Sequence, residues 1–179
     1  VGTKLNRGQG CGDRPYQQLI GSLNFLAVCT RPDITYTVNY LSRFNNCHEE
    51  EHWIAAKRVL RYLKGTINVC LKYQKSDSNI KGYADADFAG DEDDRKSCTG
   101  FTFIMGDGAI TWESKKQTLV AMSTSESEYI ALSEACKEAK YLQNLLYEIL
   151  DKKVCINVFN YNQSAQAWAH YQMPYSRTK

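Results

Sequence analysis

The sequence predicts an α/β protein: a mixed sheet with one long helix packed on it, preceded by a helical segment. Three patterns carry this. Between residues 16 and 65 apolar residues recur every three or four positions, the period of an amphipathic helix. From 69 to 113 the period drops to two, and Gly106-Asp107-Gly108 marks a tight hairpin turn. Residues 125–150 return to helical spacing, followed by a β-rich run at 154–159 and a helix at 162–170. The second half therefore reads β-β-β-α-β-α.

The composition fits this class. A chain of 179 residues holds one domain or one plus an appendage. With 43% hydrophobic and 23% charged residues it falls in the ordinary globular range, which argues against wholesale disorder. The longest apolar run, 25–29, is too short to span a bilayer, so no membrane is expected as partner. Val1-Gly2-Thr3-Lys4 begins no apolar signal segment, and the missing initiator Met fits a piece of a longer chain. Cysteines stand at 11, 29, 47, 70, 98, 136 and 155. Their odd count and the lack of a C-x-x-C pair point to free thiols in a reducing, intracellular and cytoplasmic setting. Net charge is +2, but residues 1–79 hold 11 basic and 6 acidic side chains while 80–179 hold 11 and 14. A metal site beside a polyanion-binding surface gives such a division, and so does chance.

Each element has a local reason. Residues 1–14, with Gly2, Gly8, Gly10 and Gly12, read as a flexible arm. Leu19, Leu23 and Leu26, flanked by Ile20 and Ala27, give a helix from Tyr16. Arg31-Pro32-Asp33 breaks it, because the residue before proline leaves the helical region. A second helix is expected over 32–44 with Pro32 in its first turn. A third starts near Glu49 on the stripe Trp53, Ala56, Leu60 and Leu63 and stops at Gly65. Residues 15–66 thus form the helical segment. A linking strand at 69–73 and a polar turn at 75–79 follow, and the α/β domain is expected over 80–179. Its strands are placed at 80–88, 100–105 and 109–113, its long helix at 125–150.

Asp85 and Asp87 share one face of the first strand, since side chains at i and i+2 point the same way. Like charges there need a cation or donors to offset them; alternatively the strand ends at Ala84 and both belong to the acidic loop Asp91-Glu92-Asp93-Asp94. On the long helix the apolar stripe Leu132, Ala135, Ala139, Leu142, Leu146 and Ile149 extends back four residues to Glu128. At about 100° per residue Glu126 and Glu134 lie well off that line. A carboxylate on the buried face must be paired, bind a metal or border a site. The structural alternatives are a first-turn charge favoured by the helix dipole and a capping box Ser125-x-x-Glu128. On the third helix Lys57, Arg61 and Lys64 form a row with Arg58 beside it, opposite the expected Trp53/Leu60 face. Such a row either tracks phosphates, with Tyr62 offering a stacking ring, or is a solvated surface. His48-Glu49-Glu50-Glu51-His52 fits H-E-x-x-H, but it opens a helix and no plausible third ligand follows at close range, so the zinc-protease reading is disfavoured.

Several strings resemble one known family. Leu60-Arg61-Tyr62-Leu63-Lys64-Gly65-Thr66, Tyr83-Ala84-Asp85-Ala86-Asp87-Phe88-Ala89-Gly90-Asp91, Asp94-Arg95-Lys96-Ser97, Ser123-Thr124-Ser125-Glu126-Ser127-Glu128-Tyr129, Asn162-Gln163-Ser164-Ala165 and Ser176-Arg177-Thr178-Lys179 are similar, in order, to the polyprotein of copia-type LTR retrotransposons. The resemblance runs from about Tyr16 to Lys179. It implies the C-terminal end of a reverse transcriptase (15–66) joined to a ribonuclease H-like domain. The family domain continues with a further strand and helix, so 80–179 would be incomplete, with an unprotected sheet edge.

That nuclease cuts RNA in RNA–DNA hybrids and holds two Mg²⁺ with four carboxylates. By position the first is Asp85 and the second Glu128. The third corresponds to Tyr161, and the fourth would follow Lys179. A phenol with a pKa near about 10 is neutral at pH 7 and is a poor magnesium ligand. Two ions about 3.5–4 Å apart need more charge than two carboxylates supply. Weak or single-ion binding and impaired catalysis are therefore expected. Asp87 matches no family ligand, and Asn160 and Asn162 offer amide oxygens without charge. The resemblance also implies a nucleic-acid partner and the rest of the polyprotein. The other reading is a non-catalytic nucleic-acid-binding or co-opted interaction module that keeps the basic row.

Overall fold

The computed structural model describes residues 5, 8, 13–75, 79–151 and 153–171. The chain divides into two compact units, Val1–Leu71 and Lys72–Lys179.

The first unit is helical: α1 (Tyr16–Cys29), a 3-10 turn (Pro32–Ile34), α2 (Thr35–Ser42) and α3 (Glu50–Gly65). α1 buries Tyr16, Ile20, Leu23 and Ala27, so the stripe lies one position away from the expected one and Leu26 is exposed. The second helix is shorter than expected at both ends, because Pro32 opens a 3-10 turn and the chain turns again after Ser42. On α3 the buried face is His52, Ala56 and Val59; Leu60 is 43% exposed, which corrects the expected Trp53/Leu60 face. His52 sets that rotation. Its Nδ1 accepts from the Glu49 N–H at 3.0 Å, and its ring lies 4.3 Å from that of Phe44, inside the core.

The break at Arg31-Pro32-Asp33 is an anchor. The Arg31 guanidinium donates twice to Asp33, at 3.0 and 2.8 Å, and to Thr66 Oγ1 at 2.6 Å. Tyr62 donates to Asp33 Oδ2 at 2.8 Å, and Arg31 sits 5.6 Å over the Tyr62 ring. Within the expected flexible arm, two described residues are held. Leu5 is buried with its N–H on Tyr40 Oη at 3.1 Å, and the Gly8 N–H reaches the Cys47 carbonyl at 3.0 Å. The rest of 1–12 lies outside the described residues.

The second unit contains β1 (Ile80–Ala86), β2 (Cys98–Met105), β3 (Gly108–Lys116), α4 (Thr124–Leu150), β4 (Ile156–Phe159) and α5 (Gln163–Tyr171). The sheet order is β3-β2-β1-β4. β1–β2 and β2–β3 are antiparallel, and β1–β4 is parallel. Gly106 and Asp107 have φ of 58° and 67°, the left-handed pair a two-residue hairpin needs. A parallel return requires a crossover, which α4 supplies. Ile80, Ala84 and Phe103 pack against Ala135 and Leu142 of α4. Gly82 has no substitute, because the Phe103 ring occupies the place of a side chain there.

Three expectations change. Residues 69–73 form no strand. The chain crosses at the hairpin tip instead, with the Gln74 N–H on the Gly106 carbonyl at 2.7 Å and Tyr73 Oη on the Ala109 carbonyl at 2.6 Å. β1 ends at Ala86 rather than 88, because Asp87 turns its carboxylate to the Cys98 N–H. α4 is capped by Ser123, not Ser125: the Glu126 N–H donates to Ser123 Oγ at 3.1 Å, and Glu126 Oε2 accepts from the Met122 N–H at 2.7 Å. A four-strand mixed sheet with five α-helices among the described residues is consistent with a ribonuclease H-like fold. No described helix is long and apolar enough to cross a membrane.

Candidate functional site

Because Ser123 and Glu126 close the start of α4, Glu128 is released from capping. It stands one turn in, half-buried, beside the C-terminal end of β1. There exposed Asp85 is near enough to push the Glu128 carboxyl up, while the Ala86 backbone pulls it down. The third neighbour is Asn160, directly after β4 and 7% exposed. Its Nδ2 donates to Glu128 Oε2 at 2.9 Å and to the Ala84 carbonyl at 3.2 Å. Its Oδ1 accepts from the Asn162 N–H at 2.8 Å, and Gln166 Nε2 donates to its carbonyl. Asn162 in turn accepts from the Ala165 N–H at 2.9 Å and so caps α5.

Burial pushes the Glu128 carboxyl above the usual glutamate range. The Asn160 donor offsets part of this, and the neighbouring Asp85 adds to the rise. Two neighbouring carboxyls either share a proton or take a cation between them. Their oxygens suit a hard divalent ion. Among the described residues no group of three or more His, Cys, Asp or Glu side chains could hold a metal. Two carboxylates supply too little charge to neutralise two such ions.

The remaining sequence candidates fall elsewhere. Tyr161 is 91% exposed and its ring stands in solvent. Asp87 serves the β1–β2 connection. Asp91 is committed to Lys116 Nζ at 2.5 Å, and Asp94 to the same ammonium at 2.9 Å. Burial raises the Asp91 carboxyl, but Lys116 and the backbone donors outweigh it and hold it well below the usual range. Arg58, Arg61 and Lys64 are exposed on α3, and Lys57 Nζ lies 5.8 Å over the Trp53 ring. The Tyr62 hydroxyl donates to Asp33 and Arg31 lies over its ring, while the residue remains 47% exposed. His48 stacks on Tyr16 at 4.6 Å and His52 is a buried cap, so both histidines of the H-E-x-x-H string serve the helical core. Ser176-Arg177-Thr178-Lys179 lies outside the described residues.

Sequence reasoning missed the burial of Glu126 and the donor role of Asn160. The Ser123-x-x-Glu126 spacing was the available sign for the first. The second had only the alternation of β4, which turns Asn160 inward after Val158.

No family model matches the chain. It is 48% identical over 166 residues to the Retrovirus-related Pol polyprotein from transposon TNT 1-94 of Nicotiana tabacum, covering 92% of this chain and 12% of that protein. It is 43% identical over 149 residues to the Retrovirus-related Pol polyprotein from transposon RE1 of Arabidopsis thaliana, covering 83% and 10%. It is 44% identical over 129 residues to the Secreted RxLR effector protein 161 of Plasmopara viticola, covering 72% of this chain and 91% of that one. The chain therefore spans a small part of the Pol polyproteins it matches and nearly all of one shorter relative. The relatives that match at 41–48% identity across most of this chain are copia-type retrotransposon Pol polyproteins, each similar to it over one segment.

Proposed function

We propose that the chain is the ribonuclease H-like part of such a polyprotein, preceded by the last helices of a reverse transcriptase, and that it is an impaired nuclease for RNA in RNA–DNA hybrids. The observation that carries this is the seating of Glu128 at the end of β1, where one Asn160 amide donates to its carboxylate at 2.9 Å and to the carbonyl of Ala84, the residue before Asp85, at 3.2 Å. Those two residues would hold Mg²⁺, which when bound supplies the Lewis acidity for phosphodiester hydrolysis. Tyr161, a phenol turned to solvent, stands at the third ligand position that the resemblance implies. Lys57, Arg58, Arg61 and Lys64 would meet phosphates through charge. The test is incubation of the chain with a labelled hybrid and Mg²⁺ or Mn²⁺. We expect turnover to be slow or absent, and to rise with Tyr161→Asp on a chain extended past Lys179. Fast cleavage by the natural sequence, abolished in Asp85→Asn, would overturn the impairment.

One comparison favours a second reading. The relative covered over 91% of its length is named a secreted effector rather than a polyprotein, so a sequence of this kind stands nearly alone in that protein. On this reading the chain is a non-catalytic binding module. It then binds hybrid or duplex in a salt-sensitive way without cutting it. A titration without affinity at low salt removes nucleic acid as its partner.

A further inference from the structure

Glu128 has three side-chain torsions and only partial burial to restrain it, yet its carboxyl is fixed at the end of β1, on the amide that also holds the Ala84 carbonyl, next to Asp85 in the chain. A donor must hold it there beside a like-charged neighbour. Asn160 is placed to do so. The orientation of its amide follows from its partners: the Asn162 N–H only donates and the Ala84 carbonyl only accepts. Oδ1 must face the first and Nδ2 the second, which leaves the other Nδ2 hydrogen for Glu128 Oε2. Gln117 grips the same end of α4 differently, donating to the Ser127 carbonyl and Thr99 Oγ1, both at 3.0 Å. It fixes the helix backbone, whereas Asn160 fixes the carboxylate.

We propose that Asn160 is the positioning residue of the site, its buried amide keeping the Glu128 carboxylate at the end of β1. In its consequence for cation binding this rests on the metal reading of that pair. Replacing an outer partner of a ligand commonly weakens metal affinity by about 10–100-fold.

The experiment uses the full chain and two readouts. Three-bond NMR couplings report whether Glu128 keeps one χ1 rotamer, and the free-ion EPR signal reports Mn²⁺ binding. In Asn160→Leu the couplings average and Mn²⁺ binding weakens by about 10–100-fold. Gln166→Leu, which loosens the same turn without touching Glu128, changes neither. If Asn160→Leu does not fold, Asn160→Asp keeps the shape and the acceptor for Asn162 and gives the coupling readout. Couplings that stay fixed without the amide, or that average equally in Gln166→Leu, overturn the proposal. Couplings that behave as expected while Mn²⁺ binding ignores Asp85→Asn leave the positioning role standing and remove the metal reading.

Discussion

Lys116 lies between two aspartates of the acidic loop, 2.5 Å from Asp91 and 2.9 Å from Asp94, and the Asp91 side chain is only 9% exposed. A carboxyl held below its ordinary value stabilises the fold above the unfolded pKa of about 3.9, and that stabilisation is lost as pH falls through the depressed value. Lys116→Met is expected to cost about 1–3 kcal/mol at pH 7 by removing the cation that pairs Asp91, with the gap to the natural chain narrowing below about pH 4; urea denaturation at both pH values checks this. At Tyr161 the expectation is the reverse. Tyr161→Asp changes stability by less than about 0.5 kcal/mol in the same assay, because the ring packs on nothing. Glu128 was legible from sequence because helical phase is a strict count back from Leu132. The burial of Glu126 was not, because it depends on which serine becomes the cap, a choice made by contacts rather than by periodicity. Asn160 was seen only as a source of uncharged oxygen. Its donor role exists only once β4 lies beside β1.

Helix ends carry the next layer. Arg31 joins the break after α1 to the last turn of α3 through Asp33, Tyr62 and Thr66. Arg31→Lys loses the two-pronged contact and is expected to lower stability by about 1–3 kcal/mol in thermal or urea unfolding. Ser123→Ala removes the cap of α4 and is expected to cost about 0.5–2 kcal/mol. The five helices and the hairpin were readable because long periodic runs and a Gly-Asp-Gly turn are local signals. The buried face of α3 was not, since a histidine read as polar serves as cap and ring partner inside the core. Nor was the fate of 69–73, where alternation was real but the hairpin tip captured the chain before a ladder formed.

On the scale of the molecule, each unit has its own core. α4 covers one face of the sheet, while the other carries the stacked pair Tyr83–Phe159, with rings 5.4 Å apart and partly in solvent. The double change Tyr83→Thr and Phe159→Thr is expected to lower binding of a hydrophobic dye without altering the circular dichroism spectrum. Its loss of stability should be about 0.2–1 kcal/mol, the value of one cross-strand pair. The parallel strands set a further consequence, one of time. Asn160 meets Ala84 across 76 positions of chain, whereas the β2–β3 hairpin and α4 close locally. Loop-closure entropy places distant pairings late. The seal between β1 and β4 is then the last event of folding and the first to open, so the Asn162 amide should show weaker hydrogen-exchange protection than those of β2. A chain cut short before residue 160 would keep the sequence of hairpin and helix but lose the amide that holds Glu128 at the end of β1.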